Sequence, residues 1–190
     1  MFPTNIKFLV KEKLENKVLS KKIKLGILGG SFDPPHKGHL AISKEAKKKF
    51  NLKFIIWAIT KKNPFKIKSR NSISRRINFC KKIISYNNFI RVKFYEDLIK
   101  SNKTIDLINY IKKDKDYEIY FLMGADNLIN FHKWHKWKTI SQKCNIVVFD
   151  RHGYKKKSLN SITFKRLNNK NLKFVEFNKV NISSSQLRKI

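Results

Sequence analysis

Residues 26–40 constrain the fold more than any other stretch of the chain. An apolar, strand-like run ends at two glycines, Gly29 and Gly30, and a helical pattern begins a few residues later. Glycine has no Cβ, so a bulky anion can come close to the backbone N–H groups at such a break. The stretch therefore predicts a strand, a turn and a helix, with a turn that binds phosphate through the N–H groups of Gly30, Ser31 and Phe32.

Two histidines follow this turn, after a pair of prolines that fix the backbone. His36 and His39 have a spacing that puts both side chains on one side of a helix, and the apolar stripe of that helix predicts that His39 points toward the sheet. Imidazoles at a helix N-terminus can carry positive charge and donate hydrogen bonds to a phosphorus centre in its transition state. We interpret the pair as catalytic, rather than as a surface His36 and a hydrogen-bonded core His39.

The pattern Gly-Gly-Ser-Phe-Asp-Pro-Pro-His-x-Gly-His over residues 29–39 resembles the signature of the HxGH nucleotidyltransferases, and it is most similar to that of the nicotinate-nucleotide adenylyltransferase family. The run Ile-Ser-Ser-Ser-Gln-Leu-Arg at 182–188 resembles the second signature of the same superfamily. Hydroxyl and N–H groups at a starting helix, with an arginine one turn later, form an anion site. The resemblance implies that Ser184, Ser185 and Arg188 bind the phosphates of ATP together with the glycine turn.

Between the two signatures, the resemblance implies further binding residues. A Gly-x-Asp motif after a predicted strand supplies a carboxylate for ribose hydroxyls or for a cationic partner, and Trp134 is expected to lie against the nicotinate ring. Leu107 replaces the second threonine that relatives carry in their Ser-Tyr-Thr-x-x-Thr motif, so that hydroxyl is absent. The nucleotide- and nicotinate-binding residues implied in this way are Lys66, Thr104, Gly124, Asp126, Trp134 and Arg151.

The same residues also have purely structural interpretations, which the sequence leaves open. The loop around Lys66 can be an ordinary basic loop, and Asp126 can cap the helix that follows it. Aromatic residues such as Trp134 more often belong to a core. Arg75 and Arg76 resemble an arginine of the family, and they can equally be solvated surface charge.

The chain of 190 residues carries 44 Lys and Arg against 13 Asp and Glu, a formal net charge of +31. Such a charge attracts polyanions, but the basic residues are spread over almost the whole chain, so we expect anionic small substrates rather than a specific nucleic-acid partner. A basic nucleic-acid-binding module is the alternative from another class. No apolar run is long enough to cross a bilayer. Cys80 and Cys144 lack metal-ligand spacing, which favours a reduced, cytoplasmic protein.

Predicted strands alternate with helical patterns, which indicates an α/β fold with a doubly wound, mostly parallel sheet and helices on both faces. Ligands bind beyond the carboxyl ends of such strands, and every motif above follows a predicted strand or begins a helix there. The resemblance implies a Rossmann-like nucleotidyltransferase domain over 23–190 after a basic N-terminal extension, residues 1–22. Within the polar segment 154–170, Ile162 and Phe164 are the expected apolar anchors.

The resemblance implies transfer of the adenylyl group of ATP to nicotinate mononucleotide, giving deamido-NAD and pyrophosphate. No serine, cysteine or lysine has the neighbouring base of a covalent nucleophile, so we expect direct in-line attack by the substrate phosphate. His36 and His39 would stabilise the α-phosphate, and Mg²⁺ would enter with ATP, held by few protein ligands. Nicotinamide mononucleotide or another phosphate acceptor is the alternative, and the sequence leaves a homo-oligomer open.

Overall fold

The computed structural model describes residues 22–61, 69–167 and 171–176. Within these ranges the chain forms the strands β1 (Ile23–Gly30), β2 (Phe54–Ile59), β3 (Ile90–Phe94), β4 (Tyr117–Gly124), β5 (Asn145–Phe149) and β6 (Leu172–Val175). They make one sheet in the order β3-β2-β1-β4-β5-β6, and every neighbouring pair is parallel. The predicted boundary near residue 22 lies at the start of β1, and the rest of the N-terminal extension is outside the described residues.

Helices connect the strands. They are α1 (Lys37–Phe50), α2 (Ile73–Ile83), α3 (Thr104–Asp114), α4 (Ala125–Leu128), α5 (Trp137–Lys143), α6 (Lys155–Leu159) and α7 (Ile162–Leu167), with a 3₁₀ turn at Phe131–Lys133. Ser72 starts α2, because its hydroxyl accepts the N–H of Arg75 at 3.3 Å and so satisfies one donor of the first turn. None of the helices in the described ranges is long and apolar enough to cross a membrane.

Helices cover both faces of the sheet, and the apolar strands contribute to two cores. All six residues of β2 are buried and apolar, as expected of a strand with no solvent-facing side. Ile56 belongs to the core cluster that includes Ile108 of α3, whereas Ile55 and Trp57 belong to the cluster that includes Cys80 of α2. The predicted doubly wound α/β fold, with helices on both faces, is confirmed.

Strand β1 is longer than its sequence suggests. Gly29 and Gly30 do not interrupt it, because they pair with Ala58 and Ile59 of β2 and continue the parallel ladder. The turn therefore begins at Ser31, after both glycines.

The segment between β5 and β6 also differs from expectation. Ile162 was predicted to be an apolar anchor, but it is 53% exposed. The inward face of α7 instead consists of Thr163 and Leu167, which are buried, and Phe164, which packs edge to face on Phe174. Residues 163, 164 and 167 share one side of a helix, and position 162 falls outside that side.

The strand order reverses between β1 and β4, since β2 and β3 lie on one side of β1 and the later strands on the other. A parallel sheet leaves a crevice outside the carboxyl ends of its strands at such a point. The predicted motifs that lie in the described ranges follow these ends.

Candidate active site

A cleft of about 530 Å³ opens at the point where the strand order reverses. The carboxyl ends of four neighbouring strands contribute to its lining, through Gly29 and Gly30 of β1, Thr60 after β2, Glu96 after β3 and Met123 of β4. Small-molecule sites typically enclose roughly 300–1,000 Å³. The cleft is therefore large enough for a nucleotide, at the edge where the sequence predicts one.

The glycines at the end of β1 are not required by interior packing. A Cβ added to Gly29, which is exposed, would come no closer than 3.6 Å to Phe121. At Gly30 the nearest atom would be in the ring of Phe32, at 3.4 Å. Both are ordinary contacts, so the missing Cβ atoms matter on the cleft side, where they leave the backbone accessible to a ligand.

Phe32 holds the turn in an unusual conformation. Its φ of +48° lies in the left-handed region, which is strained for a residue with a side chain. The ring is buried and stacks on Trp57, with centroids 5.0 Å apart and an interplanar angle of 17°. The indole N–H of Trp57 donates to the hydroxyl of Ser43 at 2.8 Å, so this wall is itself fixed. Packing thus compensates the strain in the turn.

His36 and His39 cap α1 reciprocally. Nδ1 of His36 accepts the N–H of Gly38 at 3.2 Å, and Nδ1 of His39 accepts the N–H of His36, also at 3.2 Å. A ring nitrogen that accepts a hydrogen bond carries no proton. In this arrangement both imidazoles are therefore neutral, with their proton on Nε2.

This arrangement refines the prediction of two charged imidazoles. A positive charge would require a proton on each Nδ1 and would break both caps, so the caps favour neutral imidazoles that donate from Nε2. The two rings lie close together, with centroids 3.9 Å apart. His39 also packs on Phe32 at 4.7 Å and on Trp57 at 5.8 Å, which confirms its predicted inward direction.

The other wall of the cleft is formed by Trp134 and the start of α3. Trp134 packs edge to face on Phe121, at 6.0 Å, and on Phe131, at 5.2 Å, and it also lines the cleft. Trp134 therefore packs on the core and faces the cleft at the same time, and its contact with the nicotinate ring stays a prediction. Thr104 is the first residue of α3 and lines the cleft together with Leu107, which contributes an apolar side chain.

Charged groups of both signs surround this wall. Lys103, Lys133 and His135 line the cleft on the basic side. On the acidic side, Glu96 accepts the N–H of Lys61 at 3.1 Å through Oε2, while burial raises the pKa of its carboxyl group. A ligand with a carboxylate would meet mainly cationic groups near Trp134.

Asp126 pairs with Arg151 at the ends of β4 and β5. Nη1 of Arg151 donates to Oδ2 of Asp126 at 2.9 Å, and the side chains are only 29% and 13% exposed, respectively. Asp126 does not cap α4, whose N-cap is Gly124 and has no side-chain cap. A Cβ at Gly124 would lie 2.5 Å from Oδ1 of Asp126, so any other residue there would force this carboxylate to shift. The pair presents a fixed carboxylate beside the cleft.

Arg76 is a residue near the site that the sequence interpretation did not select. The alternative of solvated surface charge is wrong for Arg76, which is 2% exposed and donates to the carbonyl oxygens of Ser31 and Thr60. Arg75, in contrast, is exposed, as the interpretation as solvated surface charge predicted. The sequence did contain a signal for the burial of Arg76. Arg76 lies four residues before the buried Cys80 and therefore on the apolar face of α2.

Of the predicted residues that the structure describes, some line the cleft and the others lie at or after the carboxyl ends of β1, β4 and β5. Gly29, Gly30, Thr104 and Trp134 line the cleft, whereas Ser31, Phe32, His36 and His39 follow the end of β1, and Gly124, Asp126 and Arg151 lie at the ends of β4 and β5. Four other predicted residues, Lys66, Ser184, Ser185 and Arg188, lie outside the described residues. Within the described ranges, no group of three or more His, Cys, Asp or Glu side chains is arranged to hold a metal ion.

Residues 27–190 match the family described as cytidylyltransferase-like. A protein of Pelagibacter ubique, named probable nicotinate-nucleotide adenylyltransferase, is 67% identical over 178 residues, which cover 94% of this chain and 99% of that protein. A protein of the same name from a Nitratiruptor species is 38% identical over 70% of this chain and 76% of its own length.

Solved structures share the fold. The nicotinic acid mononucleotide adenylyltransferase of Plasmodium falciparum superposes with a TM-score of 0.70 in complex with NaAD and 0.71 in complex with APC. Each comparison covers 87% of this chain and 82% of the other, at 21% and 22% sequence identity. The chain belongs to the cytidylyltransferase-like family and, within it, to the nicotinate-nucleotide adenylyltransferases.

Proposed function

We propose that the chain transfers the adenylyl group of ATP to nicotinate mononucleotide, a step of NAD biosynthesis. A phosphate oxygen of the mononucleotide forms a bond to the α-phosphorus of ATP, and the bond from that phosphorus to the bridging oxygen of the β-phosphate breaks. The products are deamido-NAD and pyrophosphate. The observation that carries the proposal is the cleft that joins the glycine end of β1 to the aromatic wall at Trp134.

The triphosphate would bind at the end of β1, where Gly29 and Gly30 leave the backbone open. His36 and His39 would donate from Nε2 to the α-phosphate as negative charge builds up there. A phosphate nucleophile needs no general base, so catalysis would consist of positioning and charge stabilisation. Mg²⁺ would enter as part of the substrate, since it retains waters and prefers phosphate oxygens.

Other predicted contacts complete the phosphate and ribose sites. The carboxylate of Asp126, held by Arg151, would accept hydrogen bonds from ribose hydroxyls. Ser184, Ser185 and Arg188 would hold the leaving pyrophosphate, and this part of the proposal is based on the sequence motif.

The pyridine ring would bind at the other end of the cleft. Trp134 offers a rigid aromatic face and Thr104 offers a hydroxyl, and the role of Lys66 as a binding residue is based on the sequence resemblance. Lys103 and Lys133 favour the carboxylate of nicotinate over the neutral amide of nicotinamide. The positive charge near Trp134 is therefore the feature that supports the acid as the acceptor.

A panel of phosphate acceptors tests the proposal. Pyrophosphate release would be measured with ATP and Mg²⁺ and with nicotinate mononucleotide, nicotinamide mononucleotide or phosphopantetheine as acceptor. We expect the highest kcat/KM with nicotinate mononucleotide. Preference for the amide would show that the acceptor is misassigned, and no pyrophosphate with either mononucleotide would refute the proposed activity.

We further propose that the enzyme acts in the cytoplasm. Cys80 and Cys144 are both free and buried. Burial raises the pKa of each thiol to about 12, which keeps both groups protonated and unreactive. Buried, unreactive thiols suit a reducing compartment. Fractionation of cells that produce the tagged chain would test this location.

A further inference from the structure

Arg76 joins the ends of two strands from beneath the phosphate-binding turn. Its Nη1 donates to the carbonyl oxygen of Ser31 at 2.6 Å and to that of Thr60 at 2.7 Å. Ser31 directly follows β1 and Thr60 directly follows β2. One nitrogen of a buried side chain thus fixes the backbone at the start of the turn relative to the neighbouring strand.

The acceptors of Arg76 are carbonyl oxygens, which do not neutralise its charge. Burial lowers the pKa of the guanidinium, and the carboxylates of Asp33 and Glu96 act in the opposite direction. Burying a charge costs free energy that an apolar side chain of similar size would avoid. A buried cation immediately behind an anion-binding turn is therefore better explained by function than by stability.

Unsatisfied polar atoms are concentrated around the same side chain. Among the described residues, four buried side-chain atoms have no hydrogen-bond partner, and three of these are Nε of Arg76, Oγ1 of Thr60 and Oε1 of Glu96. Arg76 contacts Thr60 directly, and Glu96 is one of the charges that act on it. Stable cores rarely leave such atoms unpaired, so three of them around one side chain call for an explanation beyond packing.

The other end of the turn is also attached to the α2 region. The carboxylate of Asp33, which is fully buried, accepts the backbone N–H of Arg70 and the side-chain amide of Asn71, both at 2.6 Å. Phe32, with its positive φ, lies between the anchored Ser31 and the anchored Asp33. A strained residue persists only where its surroundings determine its conformation, and these two anchors do so.

We propose that Arg76 is a positioning residue for the phosphate-binding turn. By holding the carbonyl groups of Ser31 and Thr60, it directs the N–H groups of the turn toward the triphosphate and keeps a positive charge behind them. The inference rests on the proposed function, because ATP is the anion that the turn is taken to bind.

The test uses Arg76→Met, which keeps the bulk and removes the donors and the charge, and Arg76→Lys, which keeps the charge with less reach. The control is Arg75→Met, since Arg75 is an exposed neighbour on the same helix whose guanidinium lies 5.6 Å from the ring of Phe79. Each full-length variant would be characterised by its ATP Kd from calorimetry, its kcat, its KM for nicotinate mononucleotide and its melting temperature.

For Arg76→Met, we expect the ATP Kd to rise roughly 10- to 100-fold, because the turn loses the positive charge behind its N–H groups and the donors that fix them. The KM for nicotinate mononucleotide should stay within about twofold of the control, as for a change that does not touch that substrate. Arg76→Lys should show an intermediate ATP Kd. A purely structural role would lower the melting temperature without this separation between the two substrates.

Two results would overturn the proposal: an ATP Kd of Arg76→Met equal to that of Arg75→Met, or equal losses for both substrates. If Arg76→Met does not fold, Arg76→Lys decides. Weaker ATP binding with an unchanged KM for the mononucleotide supports the proposal, and unchanged ATP binding refutes it. A wild-type chain that binds ATP but releases no pyrophosphate would contradict the proposed function, and the ATP titrations would still decide the role of Arg76.

Discussion

His36 and His39 each use Nδ1 to cap α1, and each carries its ring proton on Nε2. The start of the helix and the proposed chemistry therefore depend on the same two side chains. Replacing either histidine by alanine would remove a cap and a donor together. A substitution that keeps the cap but removes the imidazole would separate the structural role from the catalytic one.

For His39→Gln we expect near-native stability and a loss of turnover of ~10²–10³-fold, the usual cost of one preorganised donor. Glutamine at this position accepts the N-cap N–H in an ordinary capping box, so the helix start is retained. His39→Ala should lose both stability and turnover. Melting temperature and the rate of pyrophosphate release would be measured for each, and full turnover in His39→Gln would refute the catalytic role.

Glu96 should make stability depend on pH. Burial raises the pKa of its carboxyl above the ordinary value of 4.5, so the folded state favours the protonated form. The stability that this group contributes is present below pH 4.5 and is lost as the pH rises through the folded-state pKa. Glu96→Gln, which is always neutral, should therefore be more stable than the wild type at neutral pH, and the difference should shrink on acidification.

Melting temperatures of the wild type and Glu96→Gln over a range of pH would check this expectation. The matched control is Asp97→Asn, because Asp97 is the exposed neighbour and pairs with Lys61 at the surface. We expect no gain from that change. A Glu96→Gln variant less stable than the wild type at neutral pH would contradict the stated direction.

At the scale of elements, local sequence patterns predicted the strands and helices whose formation depends on neighbouring residues. The uninterrupted apolar run of β2 identified a strand buried on both faces, and the alternation of strands and helices identified the doubly wound sheet. The glycine–histidine stretch likewise predicted the order strand, turn, helix, although β1 continues through both glycines.

Contacts between distant segments could not be read from the sequence. The hydrogen bond from Arg76 to Ser31 spans 45 residues, and the tautomers of His36 and His39 depend on how the start of α1 folds back on itself. The Gly-x-Asp motif is equally compatible with two roles of Asp126, as a helix cap or as the ion-pair partner of Arg151. Only the packing of β4 beside β5 distinguishes them.

The ends of β1 and β4 differ in whether they tolerate a side chain in place of glycine, and two substitutions test this difference. Gly124→Ala places a Cβ 2.5 Å from Oδ1 of Asp126, so it should displace that carboxylate from Arg151 and destabilise the fold by about 1–3 kcal/mol. Gly29→Ala makes only ordinary contacts within the protein, so its melting temperature should change little while its ATP affinity falls. Thermal unfolding and ATP titration would check both, and the reverse pattern would contradict the assignment.

At the scale of the whole molecule, the chain of 190 residues carries a formal net charge of +31, and the described helices contribute part of it. The last turns of α1, α2, α3 and α6 all carry lysines. Cations at helix C-termini interact favourably with the helix dipole, but their mutual repulsion opposes a compact fold.

Added salt should therefore stabilise the ligand-free protein. Because NaCl screens repulsion between exposed charges, we expect the melting temperature to rise as the salt concentration increases from about 20 to about 200 mM. The control is an uncharged osmolyte at equal osmolality, which does not screen charge. A melting temperature that falls over this range would show that favourable ion pairs outweigh the net repulsion.

Because all strands run in one direction, the edge formed by their amino ends faces away from the cleft. Lys22 before β1 pairs there with Asp116 before β4 at 3.0 Å, and both side chains are exposed. A cysteine introduced at either position could be biotinylated to tether the enzyme to a sensor chip. Every tethered molecule would then present its substrate entrance to the flowing solution.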